Sequence, residues 1–489
     1  MLPINLLPAD QFLNGLCVLC VGPIPNRYKE KTSFKKFIYR SLILDMMNKT
    51  VIIGAGITGA GIARDLTLRG VPVTLIERDA PASGATGRCH GLLHSGARYA
   101  VKDPSAAAEC AKENLILKKI AASYIEDTGG LFLALNDAEA AYGDVLLDAC
   151  RPASIPMEEI SPLGSPNPRA TRCFLTNDGA IDPFLLTLAN LYDARRNGAA
   201  IITGIGVKAI EDSTVVLDDG SKIKAEVIVN ATGHECGTLD RAMALAVQPD
   251  KGTILVTERR ACDVVLNRMR PASDGDIIVP GYSTSLIGTT SASSASTIPS
   301  RDEYRALLRE ATTLLPSIEG ARIIRAFSGV RPLIGSGDGR SLSRDYRIFT
   351  GGNLVTVAGG KLTTYRLIAE KASDEVMRLL GEKGRCTTAV PLPNVVRAPA
   401  GGDILCNCEQ AASRLIEMDF LKPAAAWKFN RLGFGACQGM RCAKNTFGER
   451  EMLEERWKGI KPVLDEIQLK QAYLSWASAM SRMDPNGDA

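Results

Sequence analysis

Thr50–Ile53 is a short β-branched run that stops at glycines, and from Ile57 to Arg69 the apolar residues recur at helical spacing. Val71–Ile76 is strand-like again and ends on Glu77. Strand, helix and strand in this order predict a parallel pair joined by a right-handed crossover. Residues 103–125 read as an Ala-rich helix with Lys and Glu on one face. Within Val207–Val229, two alternating runs flank the turn Asp218-Asp219-Gly220-Ser221, a hairpin signature. Ile277–Thr290 and Ile323–Leu333 alternate as strands, and Thr364–Leu380 reads as a helix after a glycine turn. Residues 391–403, with Pro391, Pro393, Pro399, Gly401 and Gly402, read as a linker ahead of a compact, mostly helical tail.

At about 150 residues per domain, 489 residues make roughly three domains. The net charge of +4 is too small for an electrostatic nucleic-acid binder. The chain lacks the 18 or so continuous apolar residues of a transmembrane helix. Thirteen cysteines, an odd number in a long chain, point to a reducing compartment, and three histidines (His90, His94, His234) are too few for a histidine-rich metal centre. Phe12–Val21 is mildly apolar, but its basic residues follow it, unlike a secretory signal. Residues 1–47 are expected to be a disordered extension, or the product of a start placed upstream of Met46 or Met47.

Gly54-Ala55-Gly56-Ile57-Thr58-Gly59 follows the first strand and opens the helix, the context a dinucleotide-binding turn requires. Gly54 makes the tight turn, Gly56 lets backbone approach a pyrophosphate, and Gly59 lets helix pack on strand. Phosphates then meet the positive end of a helix. Glu77 stands where a ribose-binding acid belongs. Nicotinamide and flavin dinucleotides both fit this turn.

A second signal lies in the tail. Cys406-x-Cys408 and Cys437-x4-Cys442 are separated by 28 residues. Four soft thiolates suit a 2Fe-2S cluster or a structural zinc, but a zinc ribbon would space its pairs as C-x2-C. Gly433, Gly435 and Gly439 would let backbone N–H groups reach the sulfurs. A cluster takes electrons singly whereas hydride abstraction yields a pair, and a flavin can split that pair. The two signals together therefore favour FAD over nicotinamide.

At these motifs the sequence resembles the FAD-dependent glycerol-3-phosphate dehydrogenases, in particular their anaerobic bacterial branch. The resemblance spans about residues 48–489. It rests on the glycine turn, Gly84-Ala85-Thr86-Gly87-Arg88, Leu93-His94-Ser95-Gly96-Ala97-Arg98-Tyr99, Asp178-Gly179 and Asp182-Pro183. It rests further on Asn230-Ala231-Thr232-Gly233, Ser328-Gly329-Val330-Arg331-Pro332 and Gly359 to Arg366. The tail resembles the 2Fe-2S domain of bacterioferritin-associated ferredoxin. The resemblance implies an α/β chain (α+β taken whole): a Rossmann-like FAD domain, an antiparallel-sheet substrate domain and a small helical iron–sulfur domain. The FAD domain would use about 48–100, 175–235 and 325–385, the substrate part 101–174 and 236–324, and the cluster domain 404–489.

It also implies oxidation of sn-glycerol 3-phosphate to dihydroxyacetone phosphate. Electrons would pass to a second flavoprotein-like subunit, to an iron–sulfur membrane-anchor subunit, and then to quinone, on the cytoplasmic face of the cell membrane. By resemblance, Arg98 and Tyr99 grip the phosphate, while Arg331 and Lys361 lie at the hydroxyl end, where positive charge favours the developing alkoxide. Ser83, Thr86, Gly87, Thr232 and Gly233 line the FAD, and Gly360, Lys361, Leu362, Thr363 and Thr364 approach the flavin ring. Thr364 also suits a plain N-cap, and His94 is either catalytic or structural. Ile254 stands where aerobic relatives carry a histidine, so no base is assigned there. Two other readings are an amino-acid or hydroxy-acid dehydrogenase of the same superfamily and a flavin-binding electron-transfer protein that oxidises nothing.

Overall fold

The β-branched run at residue 50 becomes strand β1 (Asn48–Ile53), and the glycine turn leads it into helix α1 (Ile57–Leu68) and strand β2 (Val73–Glu77). β1 and β2 pair in parallel. Their sheet runs, from one edge, through strands Val207–Glu211, Thr214–Leu217 and Lys222–Asn230 to β1, β2 and Ala200–Thr203. Leu354–Gly359 joins it in parallel beside the C-terminal end of Lys222–Asn230. This is the Rossmann-like order expected, and the strand ends on which Gly54, Glu77 and Ala231 sit open to one side of the sheet. The structure is a computed structural model, and it describes residues 48–240, 247–396, 404–412, 418–446 and 448–481. The expected extension 1–47 lies outside them.

Helix α1 is buried almost all round, with Ile57, Ala60, Ile62, Ala63 and Leu66 at 6% exposure or less. It lies between helices Pro183–Arg196 and Tyr365–Leu380. Gly61 permits the second approach, because a Cβ there would sit 3.0 Å from the Tyr365 ring. The helix expected at 103–125 is Pro104–Ile120, capped by the Asp103 carboxylate accepting the Ala106 N–H.

The second sheet is mostly antiparallel, with strands Gly130–Ala134, Met157–Ile160, Arg172–Thr176, Val247–Thr257 and Val265–Arg268 among its nine, and only Gly130–Ala134 and Val265–Arg268 among its described pairs run parallel. The run expected as one strand over 277–290 is a hairpin, Ile277–Gly281 and Thr284–Gly288. Its two-residue connection, Tyr282-Ser283, carries no glycine or Asn-Gly signal, and Tyr282 adopts φ +33°. Ile323–Ile334 differs from the expected division. Its residues from 325 on fall in the stretch given to the FAD part, yet it pairs with Val247–Thr257 along its length and so belongs to the antiparallel sheet.

The expected linker is also different where it is described. Leu392 donates its N–H to the Ile120 carbonyl at 2.7 Å, and Val395 donates to the Tyr124 hydroxyl at 3.0 Å. Both side chains are buried in the main core, so residues 391–396 pack on the FAD layer, and 397–403 lie outside the described residues. The tail continues that packing through Phe420 and Phe429. A smaller core gathers Cys406, Trp427, Leu432, Cys442, Met452 and Leu453. Trp457 stacks on Trp476 with ring centroids 5.3 Å apart.

Candidate functional site

The glycine turn has the geometry the sequence demands. Gly54 has φ +102°, and a Cβ there would lie 2.7 Å from the Ala231 carbonyl oxygen. A Cβ on Gly59 would lie 1.9 Å from the Gly54 oxygen, so helix and strand touch at bare backbone. Gly56 is the N-cap of α1 with no side-chain cap, and its missing Cβ faces only Thr86 Oγ1 at 3.4 Å. Glu77 accepts the N–H groups of Ala55 at 2.7 Å and Asp79 at 2.8 Å, which fixes its carboxylate at the strand end. Burial pushes its pKa above the ordinary carboxylate value, against those two backbone bonds.

A cavity of about 1120 Å³ runs from this turn to the antiparallel sheet, larger than the ~300–1,000 Å³ of an ordinary small-ligand pocket. Gly54, Gly56, Glu77, Ser83, Thr86, Thr232 and Gly233 line its dinucleotide end. The Ser83 hydroxyl there is buried without a partner, and Thr86 Oγ1 accepts the Ile57 N–H at 3.1 Å. An uncapped helix N-terminus, a glycine cradle, a carboxylate fixed at the end of β2 and an orphan hydroxyl fit FAD. Gly87 does not line the cavity. A Cβ there would meet the Ala82 oxygen at 2.3 Å and the Phe184 ring at 2.7 Å, so this glycine serves packing.

The other end brings together His94, Arg98, Tyr99, Arg331, Gly360, Lys361 and Leu362. Strand Leu92–Leu93 pairs with Gly179–Ile181 and delivers the turn that carries His94 to Tyr99. Arg98 Nη2 binds Asp276 at 2.7 Å, while its buried Nη1 has no partner. Lys361 Nζ donates to the Arg344 carbonyl at 2.9 Å and lies 5.0 Å from the centre of the Tyr99 ring. The Tyr99 hydroxyl is 3.2 Å from His94 Nε2. Burial, then the charges of His90, Lys361, Arg98 and Arg344, hold the His94 pKa well below its ordinary value, so the imidazole is neutral at pH 7.

Arg331 is more committed than expected. It donates to Asp250 at 2.7 Å, to Thr289 Oγ1 at 2.9 Å and to the carbonyls of Lys251 and Thr290. Burial lowers it to about 10, which leaves it cationic. Thr363 and Thr364 do not line the cavity: both are fully buried. Thr363 Oγ1 accepts the His94 N–H at 3.0 Å, tying the two loops together. Thr364 holds the N-cap position of helix Tyr365–Leu380, but its hydroxyl makes no cap bond.

Sequence reasoning missed Arg344, Arg340 and His90, which line the same end. Among the described residues the Arg344 guanidinium makes no hydrogen bond, and its ion pair to Asp250 is loose at 3.8 Å. Both arginines sit in the Gly/Ser/Asp-rich stretch 335–345, whose lack of periodicity reads as plain loop. The only signal there is the recurrence of arginine.

The four tail cysteines carry no disulfide. Cys442 is hydrogen-bonded to Cys406 and to Cys437, and Cys437 to Cys408. The Cys442 bond lowers Cys406 to about 6 and Cys437 to about 5, while Cys442, shared between them, is raised. Backbone N–H groups of Glu409 and Gly433 point at Cys406, and those of Arg441 and Gly439 at Cys437. Among the described residues no three His, Cys, Asp or Glu side chains surround a point that could hold a metal ion. The sulfurs form a chain of contacts instead.

The family model for FAD dependent oxidoreductases matches residues 49–370. The A subunit of the anaerobic glycerol-3-phosphate dehydrogenase of Escherichia coli (strain K12) is 36% identical over 503 residues, covering 84% of this chain and 92% of that protein. The glycerol-3-phosphate dehydrogenase from Bacillus halodurans, solved with FAD, superposes with a TM-score of 0.55 at 21% identity, covering 91% of this chain and 82% of that one. L-proline dehydrogenase from P. horikoshii gives 0.59 at 20% identity over 69% of this chain and 94% of that one. The two structures share the fold, and the fold alone does not choose a substrate.

Proposed function

The chain belongs to the FAD-dependent oxidoreductase family and, within it, to the A subunits of anaerobic glycerol-3-phosphate dehydrogenase, and on that premise we propose that it oxidises sn-glycerol 3-phosphate to dihydroxyacetone phosphate and hands the electrons through a 2Fe-2S cluster to partner subunits and quinone. The observation that carries the substrate is Arg98, a cavity-lining guanidinium with one nitrogen on Asp276 and the other buried without a partner. A phosphate oxygen supplies what that nitrogen lacks, with charge-assisted geometry to which arginine is suited.

When bound, FAD supplies a two-electron acceptor for the hydride leaving the secondary carbon. The chain does the rest. Arg98, Tyr99 and Arg344 take the phosphate, and the Arg98–Asp276 pair keeps the first of them in place. Lys361, held by the Arg344 carbonyl, puts positive charge where the substrate oxygen becomes negative. Arg331 braces Thr289 and Thr290 and adds its field. His94, neutral because it is buried among cations, holds the Tyr99 hydroxyl through Nε2. Glu77 would hold the ribose of bound FAD, and the N-terminus of α1 its pyrophosphate.

When bound, a 2Fe-2S cluster supplies a one-electron acceptor. Four adjacent thiols, two of them with lowered pKa and backbone donors, fit it. Their chain-like contact suits two irons shared between pairs better than one ion at a common centre. No helix among the described residues is long and apolar enough to cross a membrane. In this reading the electrons reach quinone through partner subunits on the inner face of the membrane.

Dye reduction by the purified chain tests the assignment. Glycerol 3-phosphate should support it, whereas glycerol and proline should not. Comparable rates with an unphosphorylated alcohol or an amino acid would overturn it.

A further inference from the structure

In the tail, Arg456 is 3% exposed, and its Nε, Nη1 and Nη2 are all buried without a hydrogen-bond partner. Other buried arginines are matched: Arg64 by Asp193 and two carbonyls, Arg366 by Glu113 and Glu370. Arg456 has only aromatic faces, with its Cζ 4.6 Å from the Phe434 centroid and 5.4 Å from that of Trp427. Cation–π contacts contribute ~2 kcal/mol at best when desolvated, whereas stranding a charge in the interior costs several. The site as it stands lacks an anion.

The surroundings say which anion. Helix Glu449–Ile460 turns Met452, Leu453 and Arg456 to its buried side. Met452 packs into the missing Cβ space of Gly433 and Gly439, the glycines whose N–H groups reach the cysteine sulfurs. Phe434 lies between Gly433 and Gly435, and a Cβ on Gly435 would be 2.5 Å from Cys408 Cβ. Trp427 shares one apolar core with Cys406 and Cys442. Two further guanidiniums face Phe434: Arg431 at 5.1 Å and Arg325 at 5.7 Å. Arg431 is neutralised by Glu409 at 2.9 Å and Asp182 at 3.4 Å. Arg325 makes no hydrogen bond or ion pair among the described residues. The nearby carboxylate Glu455 is already shared between Arg88 and Lys458. Positive charge is therefore in excess around a ring whose neighbours hold the sulfurs.

We propose that Arg456, reinforced by Arg325, is the buried counter-cation of the 2Fe-2S cluster and raises its reduction potential. The inference rests on the cluster reading of the tail given above. Two ferric ions, two sulfides and four thiolates sum to a dianion, and reduction makes it a trianion. A fixed cation in a low-dielectric core stabilises the reduced form more than the oxidised one.

The test is a redox titration of the cluster, followed by EPR, in the anaerobically purified full chain, with iron and acid-labile sulfide counted. R456M should keep its cluster but make it at least a tenfold weaker electron acceptor, equivalent to a midpoint lowered by about 59 mV for one electron. R456K should recover most of that, and R325M should lower the midpoint by a smaller step. R456M with a full cluster and an unchanged midpoint would overturn the inference while leaving the cluster reading intact. If R456M does not accumulate, an unchanged midpoint in R325M would overturn it as well. Absence of iron and sulfide from the wild-type chain would remove the cluster reading, and this inference with it.

Discussion

Arg98 has more donors than the protein fills, and the proposed phosphate contact rests on that imbalance. Losing a charge-assisted hydrogen bond costs about 1.5–3 kcal/mol, so R98A should raise KM for glycerol 3-phosphate on the order of 10–100-fold. R98K should not restore it, because a lysine cannot hold Asp276 and a phosphate oxygen with one planar group. Steady-state kinetics with glycerol 3-phosphate checks both. His90 makes a second claim. Burial, with Arg331 and Arg98 adding to it, lowers His90 to about 4 from an ordinary 6.5. Below pH 6.5 the unfolded chain takes a proton that the folded chain refuses. The stability contribution is thus whole above 6.5 and erodes toward pH 4, at up to about 1.4 kcal/mol per pH unit. The melting temperature of wild type should therefore fall more steeply than that of H90Q between pH 6.5 and 5; parallel curves would contradict the burial argument.

The strand–turn–helix unit was legible because each of its parts needs a particular residue. Gly54 and Gly59 leave no room for a Cβ, and Glu77 ends a strand. G59A would force a methyl into backbone that cannot move aside like a flexible side chain, at a cost of about 1–3 kcal/mol. FAD content per chain should drop accordingly. Other elements were not legible. The Ile277–Gly288 hairpin turns at Tyr282-Ser283, which carries no turn signal because the strain at φ +33° is borne by tertiary contacts: Arg431 lies 3.8 Å from the Tyr282 ring, and Ser283 donates to Glu409. The Arg366–Glu113 pair, which joins helices Pro104–Ile120 and Tyr365–Leu380, lies too far apart in sequence for any local pattern to reveal it. E113A would leave a buried guanidinium short of its main partner and should cost about 3–5 kcal/mol, seen as a lower denaturation midpoint.

All described residues fall within one compact unit, Met47–Ala489. The cysteine tail is seated on the catalytic layers by particular contacts. Arg431 bridges Glu409, beside Cys408, to Asp182, the N-cap of helix Pro183–Arg196, and Gly459 packs against the Ala326 carbonyl in strand Ile323–Ile334. The two cysteine pairs of the tail were readable from their spacing, but this seating was not, since it depends on charges far apart along the chain. R431A would strand two buried carboxylates. Hydrogen exchange should then quicken at 404–412 and 281–285, while dye reduction by glycerol 3-phosphate persists.

One reaction ties these scales together: hydride leaves a phosphorylated secondary alcohol for FAD held by this chain. Anaerobic titration of the purified chain with glycerol 3-phosphate, followed by its visible spectrum, measures that directly. The flavin bands should bleach with glycerol 3-phosphate and stay unchanged with glycerol. A flavin that remains oxidised in the phosphorylated substrate, or that bleaches equally with glycerol, would contradict it.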